Sequence, residues 1–136
     1  MKTLLVLEDE PLVMKLLRHM LKEYVLVEAT SAEQAIQLFH DRDRKIDLLV
    51  ADVTLPTSSG IQVALLFRLE LPELPVILTS GYPVGGWSDR DAADLQRLGF
   101  HLVVVLQKPI SHKKLSNEVC ELIGPVQPDK ARTSEP

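Results

Sequence analysis

The stretch that decides the fold is residues 46–60, which read IDLLVADVTLPTSSG. Its first half is an apolar run interrupted only by Asp47, which is typical of a short strand covered on both faces of a parallel sheet. We predict a strand over residues 46–51 that ends at Asp52. Proline, serine and glycine follow, so a loop comes next, and a helix is predicted over residues 61–70. The stretch therefore places a carboxylate where a buried strand meets a loop.

The same alternation of apolar runs and helical patterns extends in both directions along the chain. Short apolar runs predict four further strands, over residues 4–7, 24–28, 74–78 and 102–106. Apolar residues at helical spacing and capping signals predict four further helices, over residues 11–21, 32–40, 91–98 and 112–123. Five strands alternating with five helices predict an α/β fold, a doubly wound parallel sheet with helices on both faces. We expect one domain over residues 1–124 and a polar tail or linker over residues 125–136.

Length, composition and charge limit the classes of function. The 136 residues suit one domain, and 46% hydrophobic with 25% charged residues is typical of a globular protein. A net charge of −4 argues against nucleic acid as a partner of this chain. The single cysteine, Cys120, excludes an intrachain disulfide. No run approaches the roughly 20 apolar residues of a membrane span, so we expect a cytoplasmic chain without membrane contact.

Four of the five predicted strands end at a residue with chemical capacity. These residues are Glu8 and Asp9, Asp52, Ser80, and Lys108. In parallel α/β sheets the carboxyl ends of the strands meet at one edge, and ligands bind there. We therefore expect these side chains to gather, although they lie tens of residues apart in sequence.

This set of side chains indicates phosphoryl chemistry. Clustered carboxylates repel one another unless a cation intervenes, and Mg²⁺ favours carboxylate, water and phosphate oxygens. Lys108 supplies a positive charge suited to a phosphate oxygen, and Ser80 supplies a hydroxyl. A carboxylate such as Asp52 can itself accept a phosphoryl group and form an aspartyl-phosphate. Catalysis would then consist mainly of positioning and charge neutralisation.

Four segments together resemble the receiver domain of two-component response regulators. They are Leu5-Val6-Leu7-Glu8-Asp9-Glu10-Pro11, Asp52-Val53-Thr54-Leu55-Pro56, Thr79-Ser80-Gly81-Tyr82 and Lys108-Pro109. The resemblance covers roughly residues 2–123 and implies a flavodoxin-like strand order, 2-1-3-4-5. Ser80-Gly81-Tyr82 is similar to the same segment of receivers in hybrid sensor histidine kinases. Both a stand-alone regulator and part of a hybrid kinase stay open.

The resemblance implies a metal-binding and acceptor set. Asp52 would be the phosphorylated residue and a metal ligand, and Asp9 would bind Mg²⁺ directly. Glu8 would act on the metal largely through water, and Thr54 would supply its backbone carbonyl.

The resemblance also implies roles on the other side of the acceptor. Ser80 would be the switch hydroxyl, Lys108 would bind the phosphoryl group, and the peptide bond before Pro109 would be cis. The phosphodonor would be a histidine kinase or a histidine phosphotransfer domain. The chain would be a monomer or weak homodimer, and it would catalyse nothing beyond its own phosphotransfer and dephosphorylation.

The chain departs from the family pattern where phosphorylation is normally read out. The switch aromatic usually lies three residues before the lysine, and Val105 stands there. Ser59 replaces a residue that is often acidic. These departures motivate an alternative, a pseudo-receiver that acts as a constitutive protein-interaction module. Trp87 lies in a Gly-rich loop, where we predict a loop anchor in preference to a partner-facing residue.

Two enzymatic or cofactor-binding alternatives are weaker. Aspartyl-phosphate phosphatases typically carry a second acid two residues after the nucleophile, where this chain has Thr54. A dinucleotide-binding fold requires a Gly-rich turn after the first strand, and this turn is acidic.

Overall fold

The computed structural model describes residues 1–125 and contains five strands that alternate with five α-helices. The strands are β1 Thr3–Leu7, β2 Val25–Ala29, β3 Leu48–Asp52, β4 Val76–Ser80 and β5 Val103–Gln107. The helices are α1 Pro11–Met20, α2 Ala32–Asp41, α3 Gly60–Glu70, α4 Asp89–Leu98 and α5 His112–Ile123. A short 3-10 helix, Val84–Gly86, interrupts the loop between β4 and α4. Apart from Pro125, the predicted tail lies outside the described residues.

All strand pairs are parallel, and the order across the sheet is β2-β1-β3-β4-β5. The predicted fold class and strand order are therefore confirmed. The register brings Asp52 opposite Thr79, and Ser80 opposite Gln107. The carboxyl ends of β3, β4 and β5 consequently meet at one edge of the sheet.

Two apolar clusters cover the two faces of the sheet. One cluster packs α2, α3 and α4 against the sheet. Within it the rings of Phe39 in α2 and Phe67 in α3 are stacked, with their centroids 4.0 Å apart. The other packs α1 and α5 through residues such as Leu17 and Val119. Alternate residues of the central strands enter opposite clusters, as Leu49 and Val50 do. Burial on both faces explains why these strands read as continuous apolar runs.

Several predicted bounds are wrong by one or two residues. Strand β3 begins at Leu48 and not at residue 46, because Asp47 bonds Thr3 with its side chain as well as its backbone. The Asp47 N–H donates to the Thr3 carbonyl, and the Asp47 carboxylate accepts from the Thr3 N–H. Strand β4 starts and ends two residues later than predicted, after Pro75, which has no N–H for a ladder bond. Helix α4 begins two residues earlier than predicted, because the Ser88 hydroxyl caps it by accepting from Asp91 N–H at 3.1 Å.

Within the described residues, no helix has the length and apolarity that crossing a membrane requires.

Candidate functional site

Three carboxylates gather at the end of the central strands. Asp52 is the last residue of β3 and is 3% exposed, and Glu8 directly follows β1 and is 1% exposed. Asp9 is half-buried beside them. One oxygen from each of the three carboxylates lies within 4.8 Å of the others. The structure therefore brings together the three acids that the sequence predicted to meet.

Lys108 completes this group from the end of β5. Its Nζ donates a hydrogen bond to Asp52 Oδ2 at 2.9 Å and lies 3.1 Å from Glu8 Oε1. The contact with Glu8 is an ion pair without hydrogen-bond alignment, since Oε1 has no hydrogen-bond partner in the described chain. The Lys108-Pro109 peptide bond is cis, as predicted.

Burial and charge shift the pKa values of this group. Burial raises the pKa of Glu8, and the charge of Asp52 adds to that effect. The Glu10 backbone N–H, 3.1 Å from Glu8 Oε2, and Lys108 oppose it without cancelling it. Burial alone would lower the pKa of Lys108, but Asp52 and Glu8 outweigh it and raise that pKa. Lys108 is therefore a fixed positive charge between two buried carboxylates.

The second oxygen of Asp52 is held by the backbone of the following loop. Thr54 N–H donates to Asp52 Oδ1 at 3.0 Å, so the two carboxylate oxygens have different partners. Sequence reasoning assigned Thr54 a carbonyl role and missed this N–H. The signal was available, because an Asp side chain often accepts from the backbone two residues later. The carbonyl role stays a prediction.

Gly60 allows helix α3 to start directly against β3. A Cβ at this position would overlap the Asp52 carbonyl oxygen and lie 2.8 Å from Ala51 Cβ. The preceding Ser59 caps the helix, since its hydroxyl accepts from Ile61 N–H at 3.0 Å. Ser59 therefore has a structural role at the start of this helix.

Ser80 lies at the same edge, but its hydroxyl is directed into the next loop. The Ser80 carbonyl accepts from Lys108 N–H at 2.7 Å, which ties β4 to the lysine. The hydroxyl donates to the Tyr82 carbonyl at 2.8 Å and accepts from Tyr82 N–H at 3.0 Å and Trp87 Nε1 at 3.1 Å. Within residues 1–125 it makes no hydrogen bond to Asp52.

Trp87 is half-buried, and its indole packs against the cluster beneath α4, as Val105 also does. Its Nε1 also donates to the Tyr82 carbonyl at 3.1 Å. The prediction that Trp87 anchors its loop is confirmed. Its contact with Ser80 was missed, because seven residues of irregular chain separate the two side chains.

An open cleft of about 510 Å³ lies over the carboxylates. Its lining includes Asp9, Asp52, Thr54 and Lys108, and the rim includes Pro56 and Tyr82. The cleft combines acidic oxygens for a cation with an ammonium group for an anion, which together suit a phosphoryl group.

A family model described as the response regulator receiver domain matches residues 4–120. The chain belongs to this family. It is therefore a receiver domain of two-component signalling.

Curated relatives and solved structures show the same kinship. The sensor kinase CckA of Brucella abortus is 30% identical over 100 residues, which cover 74% of this chain and 10% of that protein. The two-component response regulator ARR11 of Arabidopsis thaliana is 32% identical over 113 residues, covering 82% of this chain and 20% of that protein. The crystal structure of the receiver domain from the hybrid histidine kinase CckA superposes with a TM-score of 0.71. It is 28% identical and covers 89% of this chain and 98% of that one.

The receiver spans only a small part of curated relatives that it matches, between 10% and 19% of the length of three of them.

Proposed function

We propose that Asp52 accepts a phosphoryl group from a phosphohistidine and that this modification changes the partners of the receiver. The observation that carries the proposal is the arrangement of Asp52 itself. Its carboxylate is buried at the floor of an open cleft, with Lys108 on one oxygen and Thr54 N–H on the other. Both contacts orient a nucleophile without removing it from the cleft.

The reaction is a transfer between two nucleophiles. An Asp52 carboxylate oxygen attacks phosphorus, an O–P bond forms, and the P–N bond to the donor histidine breaks with its electron pair returning to the imidazole. Lys108, 2.9 Å from Asp52 Oδ2, stabilises the negative charge that gathers on the phosphoryl oxygens. Hydrolysis of the acyl phosphate later regenerates the carboxylate. The chain on this account is a phosphoacceptor and not an enzyme acting on other molecules.

The carboxylates fit a divalent cation. Glu8, Asp9 and Asp52 offer only oxygen ligands within 4.8 Å of one another, as a hard cation such as Mg²⁺ prefers. Glu8 Oε1 is buried and makes no aligned hydrogen bond in the described residues, but the Lys108 ammonium lies 3.1 Å from it, so Glu8 would act on a cation through a water. When bound, Mg²⁺ would neutralise carboxylate repulsion and the charge of the incoming phosphoryl group. Thr54 would contribute its carbonyl.

The proposed donor is a histidine kinase or a histidine phosphotransfer domain. The similarity to the receivers of CckA supports a hybrid kinase setting. The similarity to ARR11 is equally compatible with a response regulator. The receiver would act in the cytoplasm, where such donors carry their phosphohistidines.

The test is labelling with radioactive acetyl phosphate in the presence of Mg²⁺. We expect label on the wild-type chain, no label on Asp52→Asn, and loss of label when a chelator removes the metal. Asp47→Asn is the matched control, because Asp47 lies just before β3, at the opposite end of the strand from Asp52, and should leave labelling unchanged. Undiminished labelling of Asp52→Asn would refute the proposal.

A second candidate, the constitutive interaction module, is favoured by two observations. The Ser80 hydroxyl is occupied by loop contacts, and Val105 replaces the usual aromatic. If phosphorylated and unphosphorylated chains bound the same partner with equal affinity, this candidate would replace switching while leaving phosphorylation intact.

A further inference from the structure

We propose that Trp87 restrains the hydroxyl that would bond a phosphoryl group: its indole N–H holds the Ser80 hydroxyl in the β4–α4 loop, and phosphorylation of Asp52 releases it. This inference rests on the proposed phosphorylation of Asp52. It assigns a new role to a loop tryptophan and explains how a receiver with Val105 in β5 can still register phosphate.

The Ser80 hydroxyl has no hydrogen-bonding capacity left for a phosphoryl group. A hydroxyl carries one donor and two acceptor positions. The donor bonds the Tyr82 carbonyl, and the acceptors take Tyr82 N–H and Trp87 Nε1. The residue is 1% exposed, so water does not compete for these positions. Bonding to a phosphoryl oxygen therefore requires the hydroxyl to leave the loop.

The backbone keeps Ser80 within the acceptor site during such a change. Thr79, its neighbour, lies opposite Asp52 in the sheet register, and the Ser80 carbonyl bonds Lys108 N–H. A rotation of the Ser80 side chain about its Cα–Cβ bond would change its partners without moving either strand. The phosphoryl group would therefore replace the Tyr82 carbonyl as acceptor of the hydroxyl proton, and the rotation that this requires would break the bond from Trp87 Nε1.

Trp87 connects this rotation to the surface. Its ring packs against the same cluster as Val105 and as Leu95 of α4. When Ser80 leaves, Nε1 keeps only the Tyr82 carbonyl, which is part of an exposed loop beside the cleft. Movement of the ring would therefore shift the loop. It would also shift the start of α4, because Ser88, the residue after Trp87, caps that helix.

The test is a double-mutant cycle on binding of beryllofluoride, a phosphoryl mimic, with Mg²⁺ present. Trp87→Phe keeps an aromatic ring but removes the N–H donor. We expect it to bind beryllofluoride about fivefold more tightly, because binding no longer has to break the hydrogen bond from Trp87 to Ser80. In an Ser80→Ala background the same change should have no effect, because its target is gone. Fluorine NMR of bound beryllofluoride measures the affinity of the wild type, the two single variants and the double variant.

Two results would overturn the inference. One is an unchanged affinity in Trp87→Phe. The other is an equal change with and without the Ser80 hydroxyl, which would mean that Trp87 acts only by packing. Failure of all four proteins to bind beryllofluoride, together with no labelling by acetyl phosphate, would instead refute the proposed function of Asp52.

A measurement on the wild-type chain covers the case of a variant that does not fold. Trp87 is the only tryptophan, so intrinsic fluorescence reports on it alone. We expect beryllofluoride with Mg²⁺ to change the emission of the wild type and not of Asp52→Asn. Unchanged emission in a chain that demonstrably binds beryllofluoride would contradict the release of Trp87.

Discussion

Two regions of the same sheet edge differ in how closely they follow the receiver pattern. The proposed acceptor region, formed by Glu8, Asp9, Asp52 and Lys108 and called the acceptor region below, has each charged group that the proposed phosphoryl transfer needs. In the proposed readout region, around Ser80, a loop tryptophan instead contacts the hydroxyl, and Val105 stands where the family pattern has an aromatic. The difference teaches that transfer chemistry dictates residue types, because charge and nucleophilicity have few substitutes. A conformational readout needs only competition for one hydroxyl, which residues from different elements can supply.

The largest expected effect is on the charge pairing of the acceptor region. Lys108→Met keeps the apolar stem but removes the ammonium group from Asp52. We expect labelling by acetyl phosphate to slow by roughly 100-fold, the cost of removing one preorganised charge from a transition state. Lys113→Met, in the exposed first turn of α5, is the control and should label normally. A labelling rate of Lys108→Met within twofold of the wild-type rate would show that phosphoryl transfer does not need the Lys108 charge.

The next effect compares backbone crowding in the two regions. Gly60→Ala would force a Cβ onto the Asp52 carbonyl, and we expect it to reduce the free energy of unfolding by about 2 kcal/mol. Gly85→Ala, in the readout loop, meets no atom within 4 Å and should leave stability nearly unchanged. Urea denaturation measures both. Equal losses of unfolding free energy in the two variants would contradict the closer packing around Gly60.

The smallest expected effect concerns the metal. Asp9→Asn removes one of the three carboxylates that would hold the metal. We expect Mg²⁺ affinity to fall by about tenfold, the lower end of the loss that follows removal of a group hydrogen-bonded to a metal ligand. Glu10→Gln, the adjacent exposed acid outside the cluster, is the control. Titration of the labelling rate with Mg²⁺ measures the change. If both variants lost affinity equally, a diffuse acidic field and not a site would bind the metal.

The sequence was sufficient for most of the fold. Helix α5 was predicted with its observed bounds, because Ser111 caps its start and Gly124 follows its end. The central strands were recognisable because burial on both faces requires unbroken apolar runs. Strand ends were less predictable, as β4 shows, since ladder bonds depend on neighbours and not on local composition.

The candidate site could be predicted as far as the topology determines it. Parallel strands deliver their carboxyl ends to one edge, so the meeting of Glu8, Asp52 and Lys108 followed from sequence alone. The partner of the Ser80 hydroxyl did not, because it depends on how an irregular loop folds back to present Trp87. The need for Gly60 was equally hidden, since only the packing of α3 against β3 reveals it.

One titration tests both regions in a single experiment. Amide and indole resonances of a ¹⁵N-labelled chain are followed as beryllofluoride is added with Mg²⁺, and Trp87 gives a single indole signal. We predict that amides around Asp52 and the Trp87 indole shift with one common midpoint. Shifts confined to the Asp52 region would contradict readout through Trp87. A spectrum without changes in either region would contradict the central claim that Asp52 is the phosphoacceptor.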